Sequence, residues 1–191
     1  MQAGRLALSR IEQLLTHAQR TSMQVADLVG QPCEAVLPTL RTTTTQAAFV
    51  HSLKLVQQNR VYCASVMADV NDPLPTIHNN TVTPLTLLPG SVSHPHHPML
   101  SLWTPILRGS VISNIDSTHL TNLLSFNIPA SQGWLLVGER WLDSAGTLHN
   151  SPRPWPAQLT SPTNRWLTHS RSLSTTPLTS PPGSVGLSSG V

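Results

Sequence analysis

The side chains best suited to chemistry are gathered in His94-Pro95-His96-His97-Pro98. In polyproline II geometry three residues make a turn, so His94 and His97 would share a face and begin a metal site. No fixed fourth ligand or helical spacing accompanies them. The segment therefore reads as a polar loop kept extended by its prolines, and no metal or cofactor is expected; His94, His96 and His97 are the imidazoles that come nearest to a site.

Acid and base chemistry is poorly served. The carboxylates are Glu12, Asp27, Glu34, Asp69, Asp72, Asp116, Glu139 and Asp143, and no pair has a spacing that forces it into one site. Asp69 and Asp72 are explained by the turn they flank. There is no nucleophile elbow, no GxGxxG and no GxxxxGK[ST]. Catalytic residues are thus expected to be absent. Cys33 and Cys63 form no CxxC and do not frame a small disulfide scaffold. They are expected as free buried thiols, paired only if the fold brings them together.

Arg153 with Trp155, and Arg165 with Trp166, offer guanidinium and indole side by side. That combination stacks the bases of single-stranded RNA, and it equally pins a tail onto a neighbouring protein. The intervening residues add no positive charge, which favours protein contact over nucleic acid.

These candidates sit in a chain with few charges. Only 10% of its 191 residues are charged and the formal net charge is +3, with lysine present once, at Lys54. The arginines are dispersed, which is not the pattern of a phosphate-tracking surface. A surface of hydroxyls, amides and prolines has little charge repulsion to keep copies apart, and this favours burial in an assembly. No apolar run reaches the length that crosses a bilayer. Arg5, Arg10 and Glu12 interrupt any secretory apolar region, and Met1 to Arg20 reads as an ordinary first helix before it reads as a transit peptide.

The elements that must position these groups are organised around Ala47 to Val70. Phe49, His51, Leu53 and Leu55 alternate with Val50, Ser52, Lys54 and Val56, and Val61 to Val70 alternates again after a polar break at Gln57 to Arg60. That is an antiparallel hairpin. Gly4 to Arg20 carries a helical stripe, and Thr21-Ser22-Met23-Gln24 has the form of a capping box opening a second helix that Gly30 stops. Cys33 to Leu40 reads as a connection carrying Pro38, and Thr42 to Thr45 leads into the hairpin. Further on, Thr81 to Leu88 is an edge strand broken by Pro84, and Met99 to Trp103 with Ile106 to Ser113 are strands bent or separated at Pro105. Asp116-Ser117-Thr118 caps a short helix, Gly133 to Leu142 is a strand, and Thr147 to His149 returns after the turn at Asp143 to Gly146. From Asn150 onward Ser, Thr, Pro and Gly dominate, with too little apolar surface to offset backbone ordering.

The expected fold is mainly β, an antiparallel sandwich or small barrel, with an N-terminal helical arm (1–40), a β-rich domain (41–149) and an irregular C-terminal arm (150–191). The expected role is a non-catalytic structural subunit of a larger assembly, most concretely a viral coat-type subunit in a virion. The alternative is a mitochondrial ribonucleoprotein or respiratory-complex accessory subunit with an import signal at its start. Partners would be protein subunits, with RNA contact through the Arg/Trp tail as a second mode.

Overall fold

A computed structural model of the chain describes residues 2–71, 74, 85–125 and 134–150. Alternation along the central segment produces two paired strands, β1 (Val50–Gln57) and β2 (Arg60–Ala64). They are joined by Gln58 and Asn59, whose φ values of 49° and 59° are those of the two-residue turn that matches strand twist. β3 (Leu85–Leu88), β4 (Met99–Ile106) and β5 (Gly109–Asp116) complete an antiparallel five-stranded sheet in the order β2-β1-β5-β4-β3. A second, three-stranded sheet holds β6 (Trp134–Val137), β7 (Arg140–Asp143) and β8 (Leu148–His149). The described residues are thus mainly β, in two antiparallel sheets with a helical N-terminal arm, as the patterning predicts.

Side chains alternate across a strand, so each face of the larger sheet has its own chemistry. Leu53, Leu55, Leu100, Leu102, Val111 and Ile115 point to one face and join Ile11, Leu15 and Ala18 of helix α1 (Gln2–Gln24) and Val36 and Leu40 of helix α2 (Cys33–Gln46) in a single buried cluster. α1 lies over β4 and β5, and α2 over β1 and β2. The opposite face is divided. Val56, Trp103 and Ile112 make a small apolar group with Val61 and Leu74, while Ser52, Lys54, Ser101 and Asn114 are buried polar residues.

The helical arm departs from its predicted outline. α1 continues to Gln24, and only a 3-10 turn (Ala26–Leu28) follows. Thr21 and Ser22 do not cap a new helix; their hydroxyls donate back to the carbonyls of His17 and Ala18, both at 3.1 Å, which keeps the chain helical. The connection predicted for Cys33 to Leu40 is instead the first half of α2. Its threonines stay in the helix by the same local bonding, Thr42 to the carbonyl of Pro38 at 3.0 Å and Thr44 to that of Leu40 at 2.8 Å. Burial of Val36, Leu40 and Thr44 against the sheet outweighs their β propensity, and Pro38 sits on the exposed side.

Among the strands, the second arm of the hairpin stops at Ala64, and Met67–Asn71 is a 3-10 turn. β4 and β5 form one hairpin turning at Leu107 and Arg108. Among the described residues β3 pairs with β4 as far as Leu102, which leaves Pro105 beyond that pairing. The single strand predicted for Gly133 to Leu142 is, from Trp134 where the described residues resume, two strands split at Gly138, which has φ 62°. Arg140 Nη1 donates to the carbonyl of Leu87 at 2.8 Å, tying the second sheet to the edge strand of the first. Asp116 caps helix α3 (Ser117–Leu124), its carboxylate accepting from Thr118 N at 2.7 Å. The predicted C-terminal arm, 150–191, lies outside the described residues except for Asn150.

Gly109 opens β5 where the backbone of β1 passes close by, and a Cβ there would collide with the carbonyl oxygen of Val56. Gly109→Ala is therefore expected to lower stability by about 2 kcal/mol or more, read as a fall in the urea unfolding midpoint; an unchanged midpoint would show that β1 and β5 separate easily.

Candidate functional site

The polar half of the sheet's second face is a connected network. Asn114 Nδ2 donates to Ser52 Oγ at 3.1 Å, and Asn114 Oδ1 accepts from Ser101 Oγ at 2.5 Å. Ser52 lies beside Asp69 and favours its charged form; Asp69 is a carboxylate with no exposed surface in the 3-10 turn after β2. Asp69 Oδ1 accepts from Ser93 Oγ at 2.7 Å and Ser93 N at 3.4 Å, which fastens the loop between β3 and β4 to the sheet. Burial alone would raise the Asp69 pKa. The Ser93 hydroxyl, the Lys54 charge and the neighbouring Ser52 outweigh it and hold the carboxyl below its ordinary range.

The loop carries the histidines. It does not adopt polyproline geometry; His94 N bonds to the Ser91 carbonyl at 3.1 Å and His97 N to the His94 carbonyl at 3.3 Å, coiling the segment into turns. The His94 ring packs edge-on against His51 with centroids 4.7 Å apart, and His97 lies 6.0 Å from His94. His51 falls at the register irregularity between Val50 and Ser52, and its Nε2 is buried without a hydrogen-bond partner. Burial first, then the neighbouring His94, push its pKa down; Asp69 and Asp116 pull it up, and Lys54 pushes it down again. Asp116 is likewise depressed: burial acts upward, but its bonds to Thr118 and the nearby His51 and His97 outweigh it. His96 is exposed. Among the described residues no three His, Cys, Asp or Glu side chains are arranged to hold a metal ion. Sequence spacing singled out His94 and His97 but had no means of finding His51 and Asp69, which reach the loop only through the fold.

The thiols are where expectation fails most plainly. Cys33 and Cys63 are not free; they form a disulfide with Cα atoms 5.2 Å apart across a separation of 30 residues. Cys33 opens α2, and Cys63 lies in β2 on the face that α2 covers. The unpredicted helix is what brings them together. Just beyond Cys63, Ser65 ends the pairing by exchanging bonds with Leu53, its Oγ accepting from Leu53 N at 3.0 Å.

On the helical side, α1 and α3 border a groove of about 890 Å³ whose lining includes Arg10, His17, Arg20 and His119. Phe49 enters it with φ 83°, its ring edge-on to His119 at 5.1 Å and to His17 at 6.1 Å. The expected tail anchors Arg153, Trp155, Arg165 and Trp166 lie outside the described residues.

This chain belongs to the family of CSS motif domains associated with EAL, whose pattern matches residues 2–179. It contains no Cys-Ser-Ser tripeptide; Cys63-Ala64-Ser65 comes nearest to those letters. It is 27% identical over 153 residues to the probable cyclic di-GMP phosphodiesterase PdeD of Escherichia coli (strain K12), covering 72% of this chain and 29% of that protein. The chain thus spans less than a third of its curated relative. No solved structure matches it.

Family membership overturns the expected role as a structural assembly subunit, both the viral coat form and the organellar alternative. Scarce charge and a hydroxyl-rich surface describe how the protein meets solvent, and they do not single out capsids.

Two outcomes follow from the site. Replacing both Cys33 and Cys63 by Ala, or reducing them, is expected to cost about 3 kcal/mol, since the bond closes a loop of some thirty residues; equilibrium urea unfolding with and without reductant measures it. For Asp69 and Asp116 the folded pKa lies below the ordinary 3.8, so the unfolded chain takes up protons first as pH falls. Their stabilisation is complete above that value and is lost as pH drops through the folded pKa. Unfolding midpoints measured from about pH 5 to about pH 2 should fall steeply in the wild type and less steeply in Asp69→Asn.

Proposed function

We propose that the chain is a regulatory input domain of a cyclic di-GMP phosphodiesterase system, working in an oxidising compartment and performing no catalysis itself. The observation that carries this reading is the Cys33–Cys63 disulfide, in a chain whose family is associated with EAL and whose relative is a probable cyclic di-GMP phosphodiesterase. Structural disulfides persist where the surroundings are oxidising and are rare where thiol reductants are kept abundant. The bond state at this position is therefore a report on the compartment.

The clamp is also placed to have an effect. It fastens the start of α2 to β2, and α2, β1, β5 and α1 share one buried cluster. Close-packed interiors repack discretely when a constraint is released. Loss of the bond would let α2 shift on β1 and alter the surface that α1 rests on, and a phosphodiesterase module linked to the domain would read that change. In this reading the partner is that module, and the domain acts through the population of its clamped form.

The test is a chimera in which this chain replaces the matching segment of the E. coli relative. Cyclic di-GMP hydrolysis is expected to change several-fold on reduction, and to be locked at one level by Cys33→Ala with Cys63→Ala. A chimera that hydrolyses cyclic di-GMP at the same rate with and without reductant would overturn the proposal.

A further inference from the structure

The loop of residues 89–98 is held to the sheet by contacts of two kinds. Ser93 is fastened to the buried Asp69 carboxylate, with the Ser93 hydroxyl at 2.7 Å. His94 rests on His51 at 4.7 Å between centroids, and its Nδ1 lies 3.0 Å from Ser93 Oγ. The end of the loop is coupled to α3, because Ser117 N donates to the Pro98 carbonyl at 3.0 Å. α3 in turn packs against α1 and β7. A change in this loop thus reaches both sheets and the longest helix.

We infer that the His51–His94 contact is an acid-sensitive latch: a proton on His51 releases the loop of residues 89–98 and loosens the start of α3. The physical reason lies in what surrounds His51. Its Nε2 is buried and has no hydrogen-bond partner, a state that neutral imidazole tolerates as an unprotonated nitrogen. Once protonated, that nitrogen carries an N–H and part of a positive charge, and leaving both buried without an acceptor is costly. The groups facing it from the packed elements are His94 in the loop, Asp69 in the 3-10 turn, Asp116 at the end of β5 and Lys54 along β1. The two carboxylates favour the charge, but burial, His94 and Lys54 together outweigh them. Water reaches the ring when the loop lifts and His94 moves away.

The direction of the response follows from linkage. With the loop closed, the His51 pKa lies below 6.5; with the loop open, the ring is solvated and returns toward that value. Closure is fully favoured above that pH and weakens as pH falls toward the closed-state pKa. As a signal to a phosphodiesterase this inference rests on the regulatory reading above, whereas the latch itself is tested on the chain alone.

The experiment is amide hydrogen exchange by NMR on the oxidised chain at pH 7 and pH 5, corrected for intrinsic exchange. Protection at His94, His97 and Ser117 is expected to fall by about tenfold for each unit by which His51 is depressed, while the amides of β1 and β5 keep theirs. His51→Gln should abolish the pH response. A second measurement does not require that variant: His94→Gln should shift the titration midpoint of His51 upward. Equal corrected protection at both pH values in the wild type, an undiminished response in His51→Gln, or an unmoved His51 midpoint in His94→Gln would each overturn the latch. A chimera that responds to reductant while the loop ignores pH would separate this failure from failure of the regulatory reading.

Discussion

The antiparallel pairing of β1 with β5 is the constraint on which the rest depends. Leu53, Leu55, Val111 and Ile115 supply the floor on which both long helices rest, and Ser52, Lys54 and Asn114 supply the polar network behind it. A slip of one residue in this register would exchange the two sets, presenting polar groups to the helices and leucines to Asp69. The helical side tolerates one polar crossing, where Ser22 and Ser113 meet in a short hydroxyl contact between α1 and β5. The fold therefore places two different chemistries back to back on strands only eight residues long.

Each side bears one element that is not simply packing. On the helical side it is the Cys33–Cys63 bond, joining α2 to β2 at the edge of the sheet. On the other it is the loop pinned by Ser93 to Asp69 and by His94 to His51. Both are fastenings between a secondary element and the same sheet, and both involve groups whose chemical state depends on surroundings, thiol oxidation in one case and imidazole protonation in the other.

The reading of the chain as an assembly subunit arose from properties averaged over the whole sequence. Low charge, many hydroxyls and long Pro/Ser/Thr stretches constrain solubility and order, and many unrelated proteins share them. Cys33 and Cys63 were expected as free thiols, and the fold joins them in a disulfide. Their meeting depends on α2, and α2 was hidden because Thr42, Thr43, Thr44 and Thr45 with Pro38 read as an extended approach to the hairpin. Inside the protein the threonine hydroxyls of residues 42, 44 and 45 bond to carbonyls of the same helix, and the buried face of α2 supplies the stabilisation that local propensity withholds.

What the sequence by itself determined were the features written in short-range patterns: the β1–β2 hairpin with its polar turn, the stripe of α1, the Asp116 cap of α3, the edge position of β3 and the turn before β8. These depend on neighbours a few residues away, so alternation, capping side chains and turn residues suffice to specify them. Tertiary structure alone decided the disulfide, the helical state of residues 33–46, and the meeting of His51, Asp69, Ser93 and His94. Those contacts join segments far apart in the chain, and nothing local sets their distance; only the burial of both sheet faces does, by holding strands and helices in one register.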